Sequence, residues 1–374
     1  MIIRNASVCR PDHRIELGDL YVSGDRIAAA PAPGDAEVID AGRMYALPGL
    51  VDLHFHGAVG EDLCDADPDG LQRIADFEAR HGVLAICPAT MTYPEDVLTR
   101  VMRTAAAHVN GQGADLVGLN MEGPFLSPRK AGAQNPEYVI PADLAMFERL
   151  QEAAGGLIPL VDVAPEVPGN LDFIRAVSGK VCVSLAHTDT DYETAVRAFD
   201  AGASHLTHTY NAIPQPVHRA PGPIPAGAER GADAELIADG VHVHPAMVRL
   251  LFRLYGAEHV ILISDSMRAC GLPDGEYDLG GQQVTVRGKR AVLRDHPDTI
   301  AGSVTCLYDC MREAVLNMGV PLADAVRAAS ANPARALGIG GDYGSLAAGA
   351  YANIILADEQ LNIRAVYLKG RQIA

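Results

Sequence analysis

The sequence predicts an α/β fold: a (β/α)8 TIM barrel with a small β-sandwich formed by the N- and C-terminal segments. Three observations carry this expectation. Eight short apolar runs between residues 49 and 265 alternate with segments of helical period, as in a parallel sheet. Both ends of the chain show the alternating texture of strands instead. The 374 residues suit one barrel, which commonly takes about 250, plus an appendage.

MIIRNASV and IELGDLYVSGDRIAAA open the chain as β-rich runs, and AAGAYANIILADEQLNIRAVYLKGRQIA closes it. Residues 1–46 and 345–374 are therefore expected to pair as one small domain, with the barrel, 47–344, inserted between them. The expected barrel strands are 49–55, 83–89, 115–122, 157–164, 180–187, 204–208, 235–239 and 259–265. Helical segments separate them: DGLQRIADFEARHG, EDVLTRVMRTAAAHV, PADLAMFERLQEA, DYETAVRAFDAG and PAMVRLLFRLYG. Several open on Asp, Pro or Glu and close at Gly, as helix ends favour. GEYDLGGQQVTVRGKRAVLRD (275–295) reads as a β-hairpin or small β-insertion after the eighth strand, and APGPIPAG (220–227) as a Pro/Gly-rich loop.

Hydrophobic residues make up 48% of the chain, yet no unbroken apolar run nears the ~18 residues of a membrane span. The start, MIIRNASVCR, lacks the charged-then-apolar pattern of a secretory signal. A cytoplasmic protein without membrane contact is expected. The seven cysteines are scattered and have no CxxC spacing, which argues against a disulfide framework or a Cys-based zinc site. Cys306 and Cys310, four apart on an expected helix, read as small core residues. A net charge of −17 excludes nucleic acid as a partner, since phosphate-backbone binding needs clustered Lys and Arg. An anionic small molecule would need a local cationic pocket.

In barrel enzymes the active site lies at the C-terminal ends of the strands. Here His54 and His56 end the first strand, Glu122 the third, His187 the fifth, His208 the sixth and Asp265 the eighth. Residues two apart on a strand face the same way, so His54 and His56 can converge on one ion. Gly123 and Pro124 stop the third strand sharply behind Glu122. A Glu with two His suits Zn²⁺ or Fe²⁺ with one position open. Any one of these histidines alone would read as structural; four with two carboxylates, all at strand ends, read as a metal site. His205 inside the sixth strand, His244, and His81, His108 and His259 at helix ends or in loops are taken as structural.

PGLVDLHFHG, MEGPFLSPRKAGAQNP, AHTDTDYETAVRAFDAG, LTHTYNAIP, IADGVHVHP, ISDSMRACGLPDGEYDLGG and TIAGS follow one another along nearly the whole chain. Together they resemble the N-acetylglucosamine-6-phosphate deacetylases of the amidohydrolase superfamily. The resemblance implies that Glu122, His187 and His208 bind the metal and that Asp265 is general base and then acid. It implies that His242 contacts substrate and polarises its carbonyl, and that Asn211 and Ala212 bind substrate. Arg219 corresponds to an arginine that grips the 6-phosphate, in similar dimeric enzymes from the neighbouring subunit, so a homodimer is implied as well. Ala133 and Gln134, with Ile300, Ala301 and Gly302, match further substrate-lining segments.

Two departures bear on chemistry. Gln134 stands where some members have a histidine, which leaves the sugar contacts, and the choice between gluco and galacto epimers, open. Retention of His54 and His56 permits a second metal, held with Asp265 and bridged by Glu122. One or two divalent metals are thus expected, Zn or Fe before Mn or Co. Two further readings remain: a sibling amidohydrolase acting on another N-acyl or cyclic amide compound, and a non-catalytic sugar-phosphate-binding protein.

Overall fold

The computed structural model describes residues 1–31 and 37–374. Both ends of the chain feed one eight-stranded sheet. Tyr45–Pro48 joins the two contributions, running parallel to Ile2–Cys9 and antiparallel to Ile354–Ala357. Ile3, Val8, Leu20, Ile27, Ile354 and Tyr367 pack a small core of their own against this sheet.

The intervening chain forms parallel strands that alternate with helices. Leu50–Asp52, Val83–Ile86 and Asp115–Leu116 make a three-stranded sheet. Asn120–Met121, Leu160–Val163, Cys182–Leu185, His205–Leu206, Asp233–Ile237 and Val260–Ile263 make a six-stranded one. All of these strands except Cys182–Leu185, whose first residue is half-buried, are buried at every position, which explains their continuous apolar character. On one side the sheets meet where Ala89 bridges Asn120. On the other, the Asp265 N–H donates to the His54 carbonyl at 3.0 Å and the His56 N–H to the Ser266 carbonyl at 2.7 Å.

The strands are shorter than the apolar runs suggest, and the third is split. Its first part hydrogen-bonds to the second strand through Val117 to Ile86, and its second part to the segment before the fourth through Leu119 to Leu157. The change of partner falls at Gly118, where a Cβ would lie 2.6 Å from Pro159. The helices sit close to their expected positions: Pro68–Arg80, Glu95–Ala106, Leu144–Ala153, Tyr192–Asp200 and Pro245–Tyr255. Asp67, Asp143 and Asp191 cap three of them by accepting backbone N–H bonds.

Two expectations are corrected. The segment read as a Pro/Gly-rich loop holds the helix Pro223–Glu229. Its prolines fall in the first turn, where no intrahelical N–H bond is required. The insertion expected over 275–295 runs to Ile300 and has four antiparallel strands, Gly275–Leu279, Gln282–Arg287, Arg290–Leu293 and His296–Ile300. Leu279, Val284, Val286 and Leu293 close a core over Met91, Met267 and Ala301, which sets this sheet beside the strand ends. All seven cysteines are free, and Cys306 and Cys310 are buried. No helix among the described residues is long and apolar enough to cross a membrane.

Candidate active site

The polar strand-end residues converge on the floor of one cavity of about 410 Å³. His56, Glu122, His187, His208, His242 and Asp265 line it, with Ala133, Gln134, Asn211, Ala212, Ile300 and Gly302 on its walls. His54 is fully buried directly beneath, and Ala301 is buried under the insertion. Arg219 is not among the lining residues; Arg129 and Lys130 are, from the loop after the third strand.

Local backbone geometry aims these side chains. His187, His208 and Asp265 have φ of 41°, 26° and 47°, a left-handed region that residues with a Cβ seldom occupy. Each stands just past the end of its strand, so the unusual turn redirects a side chain that regular strand geometry would point elsewhere. Behind Glu122 the chain turns at Gly123, with φ 92°, where a Cβ would lie 2.2 Å from Thr92 Oγ1.

Hydrogen bonds at the back of each ring decide what faces the cavity. His56 Nδ1 lies 3.2 Å from the Ala89 carbonyl, His187 Nδ1 2.8 Å from that of Lys130, and His208 Nδ1 3.1 Å from that of Asn211. A carbonyl only accepts, so these Nδ1 atoms carry hydrogen. His54 Nδ1 lies 2.9 Å from the Glu235 carboxylate. In each neutral ring the Nε2 lone pair is therefore turned toward the others.

Those lone pairs crowd against carboxylate oxygens. Glu122 Oε1 lies 3.0 Å from His187 Nε2 and 3.1 Å from His208 Nε2, and these two nitrogens are 3.2 Å apart. Glu122 Oε2 lies 3.5 Å from His54 Nε2 and 3.4 Å from His56 Nε2; Asp265 Oδ1 lies 3.3 Å from His56 Nε2. His54 Nε2 and Glu122 Oε2 are buried without a hydrogen-bond partner. Acceptors packed this closely out of water repel one another unless a proton or a cation stands between them. Two groups, His54–Glu122–His208 and His54–His56–Asp265, have donor atoms within 4.8 Å of one another, and oxygen with imidazole nitrogen is the donor set of Zn²⁺ or Fe²⁺. The residues present thus fit a bound divalent metal.

Burial pushes Glu122 up, but His54, His187 and His208 hold it well below the ordinary carboxylate range. Burial likewise opposes ionisation of Asp265, and His56, then His54, outweighs it and lowers its pKa. Both carboxylates are thus charged at neutral pH.

The profile of the amidohydrolase family matches residues 45–373. The chain belongs to the amidohydrolase family. Among curated relatives, this amidohydrolase is 34% identical to the N-acetylglucosamine-6-phosphate deacetylase of Bacillus subtilis, over 99% of this chain and 96% of the relative. It is also 34% identical to the N-acetylgalactosamine-6-phosphate deacetylase of Escherichia coli O157:H7, over 96% and 94%. A mutant N-acetyl-D-glucosamine-6-phosphate deacetylase of Mycobacterium smegmatis, solved in complex with N-acetyl-D-glucosamine 6-phosphate, superposes with a TM-score of 0.92 at 33% identity, covering 100% of this chain and 98% of that one.

Several residues of the site were not singled out from the sequence. Glu235 accepts from His54, from His205 Nε2 at 3.0 Å and from the His208 N–H at 3.0 Å. A carboxylate in the apolar run DAELI was the available signal. Asp239 lies 2.8 Å from His242 Nδ1 and also accepts the Val241 and His242 N–H groups. Burial works against a charged His242, yet Asp239 raises its pKa. Arg129 and Lys130 carried no periodic signal; both lie near Asp189, at 3.5 and 3.8 Å. His244, taken as structural, caps Pro245–Tyr255 by accepting the Ala246 N–H.

Proposed function

We propose that this amidohydrolase removes the N-acetyl group from N-acetylglucosamine 6-phosphate, giving glucosamine 6-phosphate and acetate. The observation that carries the reading is the convergence of four imidazole Nε2 atoms and two carboxylates at the floor of the cavity and, for His54, just beneath it. The identities of 34% and 33% with deacetylases over nearly the full chain support it.

In this reading Glu122, His187 and His208 hold the primary metal. His54, His56 and Asp265, together with Glu122, would hold a second where one is bound, so one or two metals per chain are proposed. Zn or Fe suits the donors best, and Mn or Co is the alternative. When bound, a divalent metal supplies Lewis acidity, bringing the pKa of a water to about 7 and polarising a carbonyl.

Asp265 takes a proton from the attacking water as its oxygen bonds to the acetyl carbon, and delivers it to the sugar nitrogen as the C–N bond breaks. The amine then leaves neutral, and the acetyl group leaves as acetic acid carrying the water's second proton, which it gives up to solvent at neutral pH to become acetate. Asp239 fixes hydrogen on His242 Nδ1 and favours a second on Nε2, which gives the cavity a donor for a substrate oxygen. Ala133, Gln134, Asn211, Ala212, Ile300, Ala301 and Gly302 shape the sugar subsite. Arg129 and Lys130 give this acidic chain a local positive rim for the phosphate. Arg219, outside the cavity lining of its own chain, reaches the phosphate of the neighbouring subunit in a homodimer.

The parallel strands close as a (β/α)8 barrel over 47–344, with 1–46 and 345–374 as the small β domain. The backbone hydrogen bonds between the first and eighth strand ends support closure. The free cysteines suit a cytoplasmic enzyme. The galacto epimer is the second reading, favoured by the E. coli O157:H7 relative. Acetate release from both phosphorylated epimers and from the unphosphorylated sugar, before and after chelation and metal restoration, tests the assignment. Metal-dependent release from the gluco epimer above the other two is expected. Release from the galacto epimer alone, or none, overturns it.

A further inference from the structure

Glu235 is a carboxylate in the middle of Asp233–Ile237, a strand buried at every position, and its side chain has no exposure. Water does not solvate it; three donors do. His54 Nδ1 and the His208 backbone N–H both meet Oε2, and His205 Nε2 meets Oε1. No group of the proposed reaction needs this carboxylate, and it lines no part of the cavity.

Its effect passes through His54. By accepting the Nδ1 hydrogen, Glu235 leaves the His54 Nε2 lone pair free, and that atom is buried with no other partner. His54 is the one residue common to both donor groups in the site. The same carboxylate oxygen pins the backbone of His208, where φ is 26° and the turn needs support. We propose that Glu235 is a positioning residue for divalent-cation binding, fixing the tautomer and ring of His54 and the strained turn at His208. The proposal rests on the reading of His54 and His208 as cation ligands. Carboxylate support behind a ligating imidazole raises its basicity and commonly changes metal affinity about 10–100-fold.

The bonding pattern supplies a conservative test. In Glu235→Gln the amide oxygen can keep the His54 and His208 donors, while the amide nitrogen faces His205 Nε2. His205 Nδ1 is buried without a partner, so that ring can move its hydrogen to Nδ1 and accept the new donor. Glu235→Gln thus keeps the geometry and removes the charge; Glu235→Met removes both. Asp115→Asn is the control for general destabilisation, since Asp115 is buried with Lys369 and Tyr343 at the opposite, N-terminal end of its strand.

Metal-free proteins are titrated with Zn²⁺ against a chromophoric chelator, and melting of each variant is recorded. About tenfold weaker binding is expected in Glu235→Gln and a larger loss in Glu235→Met, with Asp115→Asn melting lower but binding as the native protein does. Should Glu235→Met not fold, Glu235→Gln alone decides. Native affinity in Glu235→Gln overturns the assignment and leaves the metal site standing, as does an equal loss of affinity in Asp115→Asn. Failure of the native protein to bind Zn²⁺ overturns the metal reading itself, and the proposal with it.

Discussion

Single residues in this site work in pairs, one at the cavity and one behind it. Asp265 is the clearest case for chemistry, because it is charged, stands at the cavity floor and bears on His56. Asp265→Asn keeps the shape of the side chain and loses the proton acceptor. Turnover is expected to fall by about 10²–10⁴-fold, the usual contribution of a general acid or base, with the melting temperature little changed. Native turnover in that variant would remove Asp265 from its role. Asp239 makes the complementary case. In Asp239→Asn the amide oxygen can still accept the Val241 and His242 N–H groups, which turns the amide nitrogen toward His242 Nδ1. The imidazole then takes its other tautomer, with hydrogen on Nε2 and none on Nδ1, so a neutral donor replaces the charged one that Asp239 favours. A fall of about tenfold in kcat is expected with circular dichroism unchanged, because a charged donor makes a roughly twofold stronger hydrogen bond than a neutral one; an unaltered kcat would leave Asp239 a turn-forming residue only.

At the scale of the element, what the sequence revealed depended on how local its cause was. Helices were readable where caps and apolar spacing agree, as in Pro68–Arg80 with Asp67 before it. Pro223–Glu229 was not, because its prolines and glycine are loop formers by composition and become helical only through position in the first turn. One helix carries an oddity that packing alone explains poorly. Glu78 on Pro68–Arg80 is fully buried, and neither carboxylate oxygen has a hydrogen-bond partner. Burial, and secondarily Asp52, pushes its pKa well above the ordinary range. The sign follows directly: the folded state keeps a proton that the unfolded state gives up near pH 4.3, so this group costs stability increasingly as pH rises above that value. Glu78→Met is therefore expected to stabilise the protein by about 1–3 kcal/mol at pH 8, and by less at pH 5. Denaturant melts at the two pH values check this; a gain that did not grow with pH would show that the carboxylate is satisfied.

On the scale of the whole molecule, the alternating apolar runs announced the parallel strands, and polar residues at their ends announced the site. Long-range pairing stayed out of reach. Nothing local to His54 says that Glu235 stands behind it, 181 residues further along the chain. Nor does the hairpin-like segment from 275 say that its sheet reaches the cavity through Leu279 and Ile300. That long-range character gives the site a mechanical consequence. Its candidate ligands come from His54 and His56, Glu122, His187, His208 and Asp265, so they span both parallel sheets. Removing a cation leaves buried lone pairs and charged carboxylates facing one another, and each of those strand ends then pushes on its neighbours. A ligand that binds only the folded state stabilises it by about 2.7 kcal/mol at a hundredfold excess over Kd. Chelated protein is accordingly expected to melt several degrees lower than protein resupplied with Zn²⁺, the gap widening with metal concentration. Calorimetry at two or three metal concentrations distinguishes the cases, because a melting temperature indifferent to metal would mean that protons, and no cation, keep the four imidazoles and two carboxylates together.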